Sequence, residues 1–358
     1  MINLGKPKSV VGLDIGSYAI KAVELKLMSK QDTPLFEVQK VGYMQLPHDA
    51  IVDGMIIDTP AVVETIKMVF ESSKITNKRV AISISGNSVI IKKIALPSME
   101  TEELAESIIW EAKHNIPYPY EETSVDYAVM KPSGKREDQS TDILLVAAKK
   151  DTISNFSTAV GQARKRLEAI EVDLFALQNC YELNYPEMFR QKTAAVINLG
   201  ANITNIVIVE KGNPQLFRDL SMGGLLFAEE MSKELNISYD EAEKLLKGIP
   251  SGNIDSERYD HVINLNIENI IEELEKTFSF YEAGERESKR IEQILIGGGL
   301  SQIPGLIKKV EEKFQTGTEL LNPFRMVNSN NDKIDSIYLE ELAPLFGVAT
   351  GLATRLIP

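Results

Sequence analysis

Short apolar runs separated by glycine and polar turns dominate the first part of the chain. Apolar stretches at residues 10–13, 19–27 and 36–44, with a break at 32–34, predict a three-strand meander. Behind Pro60, a favoured first-turn residue, Val62, Val63, Ile66, Val69 and Phe70 recur at helical spacing and predict a helix from Thr59. Residues 80–85 return to a strand pattern, so the chain opens as β-β-β-α-β, a mixed α/β arrangement.

A second unit follows, with a strand at 88–96 and a helix at 101–114 whose approach, SMETEE, carries the acids that a helix N-terminus favours. That helix stops at IPYP. The polar stretch KPSGKREDQST at 131–141 predicts an exposed hairpin tip between strands 124–130 and 142–147, and a helix at 152–166 closes the unit. Strands at 194–199, 204–210 and 215–219, joined by turns at 200–202 and 211–214, then repeat the opening meander. Such an internal echo suggests two related lobes. Helical periodicity prevails from 225 to 284, where Ile267, Ile270, Ile271, Leu274 and Phe278 form one apolar face that reads as core. A strand at 293–296 runs directly into three glycines.

At 358 residues the chain exceeds one ordinary core, so two or more domains are expected. The apolar share of 43% and charged share of 25%, with glycine and proline scattered, exclude collagen, coiled coil or disorder as readings of the whole. A net charge of −13 opposes a phosphate backbone, so nucleic acid is not expected as a partner. The single cysteine, Cys180, excludes an internal disulfide, and three histidines without a cysteine cluster provide no zinc pattern. No signal-like apolar core opens the chain, and no stretch approaches the roughly 20 apolar residues of a membrane span. The closing GLATRLIP is too short and too weakly charged for an amphipathic membrane foot. A cytoplasmic protein without direct membrane insertion is the expectation.

Three glycine turns carry candidate chemistry: DIGSY from Asp14, NLGANITN from Asn198, and GGGLS from Gly297. In the first two an apolar strand ends in a polar side chain, and a glycine then turns the chain with its backbone N–H groups free for an anion. Each alone reads more simply as a tight hairpin. Matching layouts in both halves point to two loops facing across a cleft, holding polyphosphate with Lys21 as the fixed positive charge. Asp14 would position a hydrated Mg²⁺, which prefers oxygen ligands and keeps its waters. The third turn, leaving a buried strand, is where backbone can pack against a purine or ribose. Neither a Walker A pattern nor Gly-x-Gly-x-x-Gly competes with this site.

The segments VVGLDIGSYAIKAVEL, AVINLGANITNIVIVEKG and QILIGGGLSQIPGL resemble, in order, the two phosphate loops and the adenosine motif of the actin-like ATPase superfamily. The segment EAKHNIPYPYEETSVDY is similar to the small inserted subdomain of the PilM family of type IV pilus assembly proteins, relatives of FtsA. The resemblance implies a two-lobed α/β fold, actin-like (ribonuclease H-like), with a small inserted α+β subdomain. The first lobe would take 1–85 and 169–191, the insertion 86–168, and the second lobe 192–358, with 221–290 as its smaller helical, nucleotide-bordering part.

It further implies that Asp14, Gly16, Ser17 and Lys21 lie on the first phosphate loop and Asn198, Gly200, Asn202 and Asn205 on the second. Gly297, Gly298 and Gly299 would form the adenosine motif, while Gly223, Gly224, Glu241 and Lys244 would border ribose and adenine. ATP and Mg²⁺ are the implied cofactors. The implied role is a cytoplasmic scaffold, peripheral to the inner membrane, that captures the N-terminal tail of a PilN-like inner-membrane protein between the insertion and the first lobe. Other assembly components and self-association stay open as partners. One departure matters: the superfamily's second-loop aspartate is replaced by Asn198, which cannot act as a base, so slow or absent hydrolysis is expected. For a water-activating group the sequence offers only Gln178 and Asn179, which also read as plain polar helix positions. The alternative is an FtsA-like filament former or a kinase of the same superfamily, but no motif nominates a kinase's carboxylate base. Trp110, beside Ile108 and Ile109, reads as a packing residue, and His48, His114 and His261 share no metal-ligand spacing.

Overall fold

The computed structural model describes residues 8–29, 35–130, 140–250, 254–284, 290–328 and 336–357; the expected turn at 32–34 and residues 131–139 of the expected hairpin tip lie outside these. Two five-stranded sheets of the same design organise the chain. In the first lobe, β1 (Val11–Ile15), β2 (Ala19–Ser29) and β3 (Leu35–Gln45) form the meander, and α1 (Thr59–Ser72) leads to β4 (Arg79–Ile84). β1 is buried along its whole length, because helices cover both faces of the sheet, and this is why it reads as a continuous apolar run. Asp58 caps α1 by accepting from the Ala61 N–H at 3.0 Å.

The insertion is a three-stranded antiparallel sheet of β5 (Val89–Pro97), β6 (Thr123–Val129) and β7 (Ser140–Lys149), with β7 central. α2 (Thr101–Asn115) seats Leu104, Ile108 and Ala112 on Ile143, Leu145 and Ala147 of that sheet. Trp110 does not pack there as expected. It is 58% exposed, on the outer face of α2, and its ring lies 3.9 Å from that of His114.

α3 (Lys150–Gln162) then buries Phe156, Ala159, Val160 and Ala163, the residue after it, in the first lobe's core beside α1. The helix ends four residues before the expected 166. Arg164 turns the chain at φ +57°, and β8 (Arg166–Val172) follows, pairing parallel to β4 with Arg79 and Arg166 both on Glu168. The periodicity did not reveal this strand, and the expected insertion boundary at 168 falls inside it. The first sheet is therefore ordered β3-β2-β1-β4-β8.

α4 (Asp173–Asn184) and α5 (Pro186–Gln191) cross to the second lobe. There β9 (Thr193–Leu199), β10 (Thr204–Glu210), β11 (Asn213–Leu220), β12 (Gln293–Gly297) and β13 (Thr318–Leu320) form a sheet ordered β11-β10-β9-β12-β13. In both sheets the meander pairs antiparallel and the last two strands add in parallel, so the echo read from sequence is a repeat of topology. α6 (Gly224–Leu235), α7 (Tyr239–Leu246), α8 (Ser256–Ala283) and α9 (Leu306–Phe314) share the second lobe's largest core with the sheet. α10 (Ser336–Leu342) precedes α11 (Gly347–Ala353), which returns to the first lobe and packs backbone against backbone. Gly12 of β1 faces the Ala349 carbonyl, and Gly351 faces that of Ala176 on α4.

Candidate functional site

The two loops have one construction. Asp14 ends the run of β1 and pairs across the hairpin with Lys21, and Asn198 ends that of β9 and pairs with Asn205. Two residues after each of these polar ends, a glycine N–H donates to the carbonyl three residues on, Gly16 to Ala19 at 3.2 Å and Gly200 to Ile203 at 3.1 Å. The cross-strand pairs differ in charge. Lys21 Nζ lies 2.8 Å from Asp14, whereas Asn198 Nδ2 donates to Asn205 Oδ1 at 2.9 Å.

Together the loops border a cleft of about 390 Å³ between the lobes. Asp14, Gly16, Ser17, Lys21, Asn198, Gly200, Asn202, Asn205, Gly224, Gly298 and Gly299 line it. The other expected positions do not. Gly223 and Gly297 lie behind the wall, where any side chain would strike the Ala201 and Pro344 carbonyls respectively. Glu241 faces back to close the capping box of α7 with Ser238, and Lys244 is exposed on the same helix. The face of α7 that reaches the cleft carries Glu243, with Lys247 one turn on, because Ala242, Leu245 and Leu246 fix the buried side. Gln178 and Asn179 do not border the cleft.

Sequence reading missed Asp173. It stands at the first position of α4, at the end of β8, and faces the cleft beside Ser83 and Ser85. Burial, then the negative charge of Asp14, push its carboxyl up to about 6, with the two serine hydroxyls pulling the other way. Asp219 on β11 sits behind the second loop, accepting from Asn205 Nδ2 at 2.8 Å and from the Gly86 N–H at 2.7 Å. Burial raises its pKa as well. Asp14 and Asp173, two carboxylates facing the same cleft, suit a divalent cation held through water. No group of three or more His, Cys, Asp or Glu side chains forms a direct metal cage among the described residues.

Across the cleft mouth Tyr18 of the first loop donates its hydroxyl to Glu243 Oε2 at 3.0 Å and accepts from Lys247 Nζ at 3.0 Å. Its ring centre lies 4.6 Å from that ammonium. Burial and the Glu243 charge raise the phenol pKa far above its ordinary value, so the hydroxyl remains a donor.

The family described as type IV pilus assembly protein PilM matches the chain over residues 12–357. A solved PilM-PilN type IV pilus biogenesis complex contains a chain 24% identical, aligned over 98% of both chains with a TM-score of 0.85. The ethanolamine utilization protein EutJ of Carboxydothermus hydrogenoformans aligns at 13% identity over 99% of this chain and 92% of its own, TM-score 0.55. Among curated proteins, the cell division protein FtsA of Bacillus subtilis (strain 168) is 20% identical over 87% of this chain and 78% of its own length. The fold is thus that of the actin-like neighbours, and no helix among the described residues is long and apolar enough to cross a membrane.

Proposed function

The chain belongs to the PilM family of type IV pilus assembly proteins, and we propose that it is an ATP-binding scaffold that captures the N-terminal cytoplasmic tail of a PilN-like inner-membrane protein. The observation that carries the nucleotide half is the pair of matched loops facing one cleft, with Lys21, paired to Asp14, and the loop residues Ser17, Ala201 and Asn202 lining it. Asp14 and Asp173 would hold hydrated Mg²⁺, which when bound neutralises polyphosphate charge and orients the phosphates. The partner half rests on family membership and on the likeness to a chain solved with PilN. The insertion offers strand edges at β5 and β6 for an extended tail. The protein would then work in the cytoplasm, held at the inner membrane through that partner.

Calorimetric titration with a synthetic tail of the PilN-like protein from the same genome, with and without Mg-ATP, tests both halves. Saturable one-to-one binding is expected, and its absence under both conditions refutes the scaffold role. Asp14→Ala should weaken Mg-ATP binding in a folded protein; unchanged affinity refutes the site. Asp173 favours a second reading, slow turnover of bound ATP, because it supplies a carboxylate of pKa about 6 where the second loop has none. Single-turnover phosphate release that persists in Asp173→Asn removes that reading.

A further inference from the structure

Tyr18 bridges the lobes at the one place where α7 turns a carboxylate and an ammonium into the cleft. Glu243 can only accept and Lys247 can only donate, so together they match a hydroxyl that gives one hydrogen bond and takes another. The phenol does both, at 3.0 Å each, with its ring against the ammonium. A vicinal diol would satisfy the same pair, one hydroxyl on each. A second first-lobe contact lies alongside: His48 meets Tyr239 of α7 edge-on at 5.0 Å. Leu46, between them, donates its N–H to the Tyr18 carbonyl at 2.8 Å, so loop and neighbouring strand end move as one piece.

We propose that Tyr18 holds the lobes together across the cleft mouth through Glu243 and Lys247, and that the ribose diol of an incoming nucleotide competes for the same two side chains and displaces it. The inference rests on the nucleotide reading above and adds to it a competitor built into the first phosphate loop. The displaced tyrosine frees the loop that receives the phosphates, so binding of sugar and phosphate is coupled through one residue. Because the protein surrenders two hydrogen bonds to charged partners before gaining those to ribose, the latch lowers nucleotide affinity by the closed fraction of the empty protein.

Tyr18→Phe keeps the ring and removes both hydrogen bonds. Two measurements decide the proposal. In the absence of nucleotide, hydrogen exchange of the α7 amides is expected to quicken about tenfold in the variant, the low end of the effect of losing one hydrogen bond to a charged group. Calorimetry is expected to show ATP binding about tenfold tighter to the variant, with no such gain for 2′,3′-dideoxy-ATP, which lacks the displacing diol. Unchanged exchange overturns the latch. Equal ATP affinities, or an equal gain for the dideoxy analogue, overturn displacement by the sugar. If neither protein binds ATP, the nucleotide reading fails and displacement fails with it, while the exchange data still decide the latch.

Discussion

Asp173 should make the protein less stable as pH rises, and replacing it should remove the effect. The carboxyl moves from an ordinary 3.8 to about 6 because burial and the Asp14 charge oppose its ionisation. A folded-state value above the unfolded one means the native protein holds a proton that the unfolded chain has released. The stabilisation is complete below pH 3.8 and is lost as pH rises through about 6. The shift is equivalent to about 3 kcal/mol at pH 8. Asp173→Asn keeps the size and stays neutral, so its stability advantage over the wild type should grow by about 2 kcal/mol between pH 4.5 and 7.5. Urea unfolding of the empty protein at both values, followed by circular dichroism, measures this directly. A difference that stays flat, or a variant less stable at pH 7.5, would refute the reasoning. A destabilising acid kept at the cleft floor is consistent with a group whose charge serves a bound cation or a water rather than the fold.

Two glycines in helices should respond oppositely to alanine. Gly351→Ala, whose methyl would overlap the Ala176 carbonyl, should lose about 2 kcal/mol net of helix propensity, whereas Gly161→Ala, with nothing near, should gain up to about 1 kcal/mol; urea midpoints that move the same way would contradict this. Burial pushes the Cys180 thiol up to about 12, so it should ignore a disulfide reagent at pH 8 until the protein unfolds, and rapid native labelling would overturn the placement. Trp110 is the chain's sole tryptophan, so iodide should quench native fluorescence almost as well as in urea; a shielded, blue-shifted emission would mean that the outer face of α2 is covered.

What was legible and what was not divides along physical lines. The two meanders were readable because their leading strands, buried on both faces, are mainly apolar and their turns carry glycine, as at Gly212, whose φ of +81° lies in the turn between β10 and β11. β8 was not, because RLEAIEV carries three charges in seven residues and follows a helix stopped by Arg164, a non-glycine in the left-handed region with no sequence signature. Missing β8 hid Asp173, which gains its position only as the residue after that strand. On α7 the helix was read correctly and its face was not. Ser238-x-x-Glu241 is a capping box, which commits Glu241 to the helix end, and the apolar residues at 242, 245 and 246 leave 243 and 247 to the cleft. That signal was present in the sequence.

The asparagine at 198 also acquires a physical reason. An aspartate there would face Asn205 with two acceptors and no donor of its own. An amide accepts and donates at once, so Asn198 passes a hydrogen bond to Asn205, Asn205 passes one to Asp219, and Asp219 accepts the Gly86 N–H. Gly86, at φ +71°, begins the turn into the insertion, and Ile203 at the tip of the second loop lies where its side chain would be. From the same turn the Asn87 carbonyl accepts from Tyr118, and Ser88 accepts from Thr152 of α3. A residue lining the cleft is thereby joined by successive hydrogen bonds to Gly86, and through the backbone of that turn to residues that bond Tyr118 and Thr152 of the insertion. An amide at 198 thus keeps a charge out of the cleft wall while supplying the donor that this hydrogen-bonded chain begins with.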